Sequence, residues 1–187
     1  MSKAGVFATA LIVLGIGMGI AAFTARSKAD DSAMPQAGQQ APEFTLPSQD
    51  GTPIALSSFK GKWVVLYFYP KDGTTGCTIE AHNFQRDQEK FTKENAVIVG
   101  VSVDTPDSHK QFCTKENLTF RLLADPGKGV VKAYGSLGSF GPIVIAKRNT
   151  FLIDPTGKIV KVWTGVNPST HSEEVLAELA TVESKGM

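Results

Sequence analysis

The sequence predicts an α/β fold in which a mixed β-sheet is flanked by helices. Three observations carry that prediction. Strand-like and helix-like segments alternate along the chain. Two of the strands, "WVVLYFY" (63–69) and "AVIVGVSV" (96–103), are continuously apolar, as parallel strands covered on both faces are. The chain then finishes in a hairpin and a helix, so part of the sheet must be antiparallel.

The 187 residues leave room for one ordinary domain plus an appendage, and the appendage comes first. "GVFATALIVLGIGMGIAAFTA" (5–25) carries no charge and is long enough to cross a bilayer as a helix. Ser27 to Ala29 offer the small residues a signal peptidase accepts, while Lys3, Arg26 and Lys28 leave the orientation undecided. A buried core helix fits poorly, because the stretch is apolar on every face. Cleaved signal or retained anchor, with the anchor favoured, the segment is expected to place the domain on the periplasmic side of a cell envelope, with the membrane as a partner. Residues 26–40, "RSKADDSAMPQAGQQ", read as a flexible polar linker, and the folded domain is expected over 41–187.

Within the domain, "PEFTLPSQDGTPIAL" predicts two short strands around the turn at Gln49, Asp50 and Gly51. Between the two apolar strands, Cys77, Ala81, Phe84 and Phe91 recur at helical spacing on one face. Cys77 therefore points where the buried phenylalanines point. "DTPDSHKQFCTKEN" predicts a second helix, with Thr105 as N-cap and Pro106 at the first helical position. "FRLLAD" (120–125) reads as a short strand and "GVVKAYG" (129–135) as a short helix. "NTFLID" (149–154), a turn at Asp154 to Gly157, and "KIVKVWTG" (158–165) form the closing hairpin. A final amphipathic helix from about Ser169 buries Val175, Leu176 and Leu179. No internal repeat is present.

Composition excludes several function classes. A 42% hydrophobic, 20% charged chain is globular, and a net charge of +1 gives no basic field to attract nucleic acid. His82, His109 and His171 make no metal-ligand spacing with either cysteine, so no metal is expected. The two cysteines, Cys77 and Cys113, are open to three readings: one disulfide, one reactive thiol with a bystander, or two inert core residues. Composition alone favours the inert pair.

The surroundings of Cys77 point to chemistry. In the first turn of a helix its sulfur meets unsatisfied backbone N–H groups and the positive end of the dipole, which favour the thiolate, the reactive form. Gly76 lets the backbone approach closely, the Thr74 hydroxyl can hydrogen-bond in the same pocket, and Pro70 fixes the exit from the strand. Arg148 opens "RNTFLID", a strand in which an arginine is costly unless it faces a functional anion. Each residue alone also fits a bland role: core cysteine, surface arginine, pocket-wall Phe68 and Tyr69.

"APEFTLPSQDGTPIALSSFKGKWVVLYFYPKDGTTGCT" resembles the peroxiredoxins, most closely the peroxiredoxin Q or bacterioferritin comigratory protein group. The likeness runs from about Ala41 to the final helix. Pro70, Thr74 and Cys77 match the family's Pro-x-x-x-Thr-x-x-Cys motif. Arg148 matches the arginine before its Phe-Leu-Ile-Asp strand, and Glu80 its first-helix glutamate.

The resemblance implies a thioredoxin-like fold with an N-terminal β extension. It also implies a cysteine-dependent peroxidase that acts on hydrogen peroxide and organic hydroperoxides, needs no cofactor, and serves antioxidant defence. Cys77 would be the peroxidatic residue, Thr74 and Arg148 would hold the peroxide, and Glu80 would orient the arginine.

Two departures stand out: Thr75 replaces a proline common before the glycine, and His82 occupies a position where many members carry a second cysteine. Some members carry the resolving cysteine in the next helix, which would make Cys113 the resolving residue and Cys77–Cys113 an intramolecular disulfide. A thioredoxin-like reductant would recycle it, and the chain would act as a monomer. An inert Cys113, with a partner's thiol resolving Cys77, remains the other reading. Rival functions are a membrane-tethered thiol–disulfide oxidoreductase, which lacks its Cys-x-x-Cys because Thr74 stands at the first position, and a non-catalytic thioredoxin-fold binding module.

Overall fold

The apolar run Trp63–Phe68 (β3) forms the centre of a five-stranded sheet. It pairs in parallel with Ala96–Ser102 (β4), which pairs in parallel with Arg121–Ala124 (β5). On its other side β3 runs antiparallel to Asn149–Ile153 (β8), and β8 antiparallel to Ile159–Thr164 (β9). The order β5-β4-β3-β8-β9 is the mixed sheet that the sequence predicts. The computed structural model describes Met1 and residues 33–185.

Side chains alternate across the sheet, and both faces are covered, which explains why β3 is apolar throughout. Val65 and Tyr67 face the helices Thr75–Lys93 (α1), Pro106–Glu116 (α2) and His171–Lys185 (α4), in a core with Phe84, Phe91, Phe112, Val175 and Leu179. Val64, Leu66 and Phe68 face the opposite way, towards Phe44, Leu56, Tyr134 and Phe151. That second face is closed by the hairpin of Thr45–Pro47 (β1) with Pro53–Ala55 (β2), and by the short helix Gly129–Ala133 (α3). Gly100 in mid-β4 makes room for its neighbours: a Cβ there would lie 2.7 Å from the Tyr67 ring.

The expected helix stripe is buried as read, at Cys77, Ala81, Phe84 and Phe91, with Glu80 and Asp87 buried beside it. Thr105 caps α2, accepting from the Ser108 amide at 3.3 Å. One hairpin was not anticipated: Leu137–Phe140 (β6) pairs with Ile143–Ala146 (β7) around Gly141, whose φ of +57° suits a glycine. Its residues are mostly exposed, so the burial pattern that reveals a strand in sequence is missing.

Two expectations concern the N-terminal part. Gly38 and Ala41 donate backbone hydrogen bonds to Ile159 and Gly157, and Met34 packs against the second core, so residues 34–40 of the segment read as linker lie on the sheet. The anchor expected at 5–25 lies outside the described residues. Among the described residues no helix is long and apolar enough to cross a membrane.

Candidate active site

Sheet topology brings the candidate residues to one end. The β3 strand runs into the loop 69–74, which enters α1 with Thr74 at its N-cap and Cys77 in the first turn. In the antiparallel partner, Asn149 stands opposite Phe68, so Arg148 lies beside the point where this loop begins. Asn149 is itself held, donating from Nδ2 to Ser136 Oγ at 3.0 Å. Since β4 is parallel to β3, its end also delivers Asp104 and the start of α2 to the same region.

Arg148 is the centre of the arrangement. Its Nη2 donates to Cys77 Sγ at 3.4 Å, while Nη1 makes an ion pair with Glu80 Oε2. Cys77 is 2% exposed and Glu80 1% exposed, so a fixed cation joins two buried groups on successive turns of α1. Burial pushes the Glu80 carboxyl up to about 7, against the pull of Arg148 towards the charged form. The expected role of Glu80 as a partner for the arginine thus has a direct contact behind it. Gly76 has a visible reason as well: a Cβ there would stand 3.2 Å from Arg148 Nη2.

Thr74 differs from the expectation. Its side chain is exposed and donates to the Lys71 carbonyl oxygen at 3.1 Å, rather than bonding within the Cys77 pocket. Pro70 is half-buried at the strand exit. Cys113 is 8% exposed and packs in the core that also holds Phe112. Its thiol is pushed up to about 12, first by burial and then by the nearby Asp72 charge. Both cysteines are free thiols. His82 is at the surface, paired with Glu116 of α2 at 2.9 Å.

A buried polar cluster beside the site is not singled out by the sequence. Asp72 Oδ1 accepts from Tyr69 OH at 2.7 Å, and Oδ2 accepts from Ser108 Oγ at 2.7 Å and His109 Nδ1 at 2.8 Å. The Asp72 amide donates to Asp104 Oδ2 at 2.9 Å. Burial disfavours the charged form of Asp72, but bonds from His109, Ser108 and Tyr69 outweigh it and hold the carboxyl below its ordinary value. No linear spacing joins position 72 to 108 and 109. Asp72, Asp104 and His109 bring ligand-type atoms within 4.8 Å of one another, yet these atoms are engaged in the hydrogen bonds just described.

The family model for the AhpC/TSA family matches residues 37–162. The chain belongs to this family. It is 41% identical over 152 residues to "Peroxiredoxin Bcp" of Bacillus subtilis, covering 79% of this chain and 97% of that protein. It is 42% identical over 148 residues to "Peroxiredoxin Q, chloroplastic" of Sedum lineare, covering 78% of each. Peroxidoxin BcpB from Mycobacterium tuberculosis superposes with a TM-score of 0.75 at 31% identity, over 80% of this chain and 99% of that one. The fold is thus the thioredoxin-like fold of the peroxiredoxins, and the chain is an enzyme of this thiol peroxidase family.

The same findings correct the expected placement on the periplasmic side of an envelope. One of these relatives is chloroplastic by name, and no helix among the described residues can cross a membrane. Neither finding supports the membrane as a partner.

Proposed function

We propose that this peroxiredoxin reduces hydrogen peroxide and organic hydroperoxides at Cys77. The observation that carries the proposal is the Arg148 guanidinium, in contact with both Cys77 Sγ and Glu80. It is a preset donor where charge appears during the reaction. The Cys77 thiolate attacks the nearer peroxide oxygen, the O–O bond breaks, and the departing oxygen leaves as water or an alcohol once protonated. Cys77 is left as a sulfenic acid. Arg148 and the first-turn amides of α1 meet the developing charge, and Glu80 holds the arginine in place. Thr74 contributes after its hydroxyl turns from Lys71 towards the entering peroxide.

Cys113 then attacks the sulfenic sulfur, expelling water and forming an intramolecular Cys77–Cys113 disulfide. A thioredoxin-like dithiol reduces that bond, becoming oxidised itself. Because both cysteines are packed in the core, the ends of α1 and α2 open locally before the bond closes. The reaction lies entirely within the domain 41–187, with residues 34–40 as part of its support, and it needs no second copy of the chain.

Cys77→Ser tests the proposal. Serine is nearly the same size, so the fold should survive while peroxide consumption disappears. Consumption at the wild-type rate by this variant would assign the chemistry elsewhere.

A further inference from the structure

We propose that Asp72 is a positioning residue that latches the Cys77 loop to the Cys113 helix and sets how fast the disulfide closes. The inference rests on Cys113 being the resolving cysteine. Asp72 lies five residues before Cys77, and its carboxylate accepts from Ser108 and His109, which lie in α2 ahead of Cys113. His109 is one helical turn before Cys113 and fully buried. A single carboxylate therefore spans the two segments that have to separate from their packing before the sulfurs can meet.

The Asp72 amide adds a tie of its own, donating to Asp104 Oδ2 at 2.9 Å just ahead of α2, and Tyr69 OH lies 3.3 Å from His109 Nδ1. The His82–Glu116 pair joins α1 to the far end of α2, but His82 is half exposed, and such pairs contribute little. Asp72, by contrast, is a charged acceptor of three side-chain hydrogen bonds with its side chain 7% exposed. Bonds of that kind are roughly twice as strong as neutral ones. The latch also has an internal weakness, since His109 Nε2 is buried without a partner. An unpaired buried polar atom favours release into water.

The carboxylate acts on the thiol as well as on the helix. Its charge helps keep Cys113 protonated while α2 is docked. Release moves the thiol away from Asp72 and into water, where the nucleophilic thiolate is easier to form. Docked, the enzyme presents an ordered peroxide site and a silent resolving thiol. Released, it presents the reverse.

The test uses the full chain with Asp72→Asn, and Ser108→Ala as a milder variant that removes only one donor. Two measurements are made: amide hydrogen exchange of the reduced protein, and quenched-flow mass spectrometry after one equivalent of hydrogen peroxide. Asp72→Asn should speed exchange in both 75–78 and 106–113, and close the disulfide about tenfold faster, the scale of weakening a charge-assisted hydrogen bond. Ser108→Ala should shift both readouts the same way by a few-fold. At higher peroxide both variants should yield less Cys77 sulfinic acid than wild type. A merely structural Asp72 would lower thermal stability without changing the ratio of disulfide to sulfinic acid, and that result, or exchange rising in only one segment, overturns the latch. If wild type forms no Cys77–Cys113 disulfide, the reading of Cys113 fails separately, and coupled exchange in the reduced variants alone decides whether Asp72 joins the two segments.

Discussion

Arg148 illustrates how a single residue is placed by forces of different range. Strand register sets its backbone, Asn149 anchors the strand beside it, and Glu80 on one side and Cys77 on the other fix the guanidinium. Arg148→Met keeps much of the packing volume but removes the donor, and should slow the reaction with peroxide at least about tenfold. Thr74→Val should cost a similar factor, although its hydroxyl now faces Lys71; unchanged stopped-flow rates in both variants would return them to structural roles. Gly76→Ala should slow peroxide reaction a few-fold, because the new methyl crowds Arg148 Nη2. At this scale much was legible in sequence: Pro70, Thr74, Gly76, Cys77 and Glu80 form a local pattern, and Arg148 is conspicuous in an apolar strand. Asp72 was not legible, because its partners at 108 and 109 meet it only through the parallel pairing of β3 and β4.

Two buried titrating groups carried by helices, Glu80 and His171, are shifted by burial in opposite directions. Glu80 in α1 is raised by burial from about 4.5 to about 7, so its contribution to stability is full below about pH 4.5 and lost as pH rises through about 7. His171, at the start of α4, is lowered by burial to about 4 and hydrogen-bonds Thr150 at 2.7 Å. Its contribution is present above about pH 6.5 and lost as pH falls through about 4. The two oppose each other across mildly acidic pH. Glu80→Gln should therefore make stability rise more steeply with pH between about 4.5 and 6.5, as urea melts across that range would read. Parallel pH profiles for variant and wild type would mean that Glu80 does not titrate in this window. Helices with a strong apolar stripe, α1 and α4, were evident from spacing alone, and so were the continuously apolar strands. The β6–β7 hairpin was not, because Phe140, Ile143 and Val144 are exposed and follow no burial period.

Across the whole molecule, one end of the sheet collects the loop after β3, the start of α1, the start of α2 and Arg148 before β8. Two cores hold that end together, one on each face, so the site rests on packed elements of the sheet and helices. Cys113→Ser should consume one equivalent of peroxide, fail to turn over with a thioredoxin-like reductant, and accumulate Cys77 sulfinic acid more readily, as intact-mass measurement would show. Full turnover by that variant would place resolution outside the chain. The most direct test of the account is peptide-mapping mass spectrometry of the reduced wild-type protein before and after one equivalent of hydrogen peroxide. A product two hydrogens lighter, with both thiols lost and a Cys77–Cys113 cross-linked peptide, is the predicted result. A product that retains both free thiols, or carries oxygen on Cys77 beside an untouched Cys113, would contradict it.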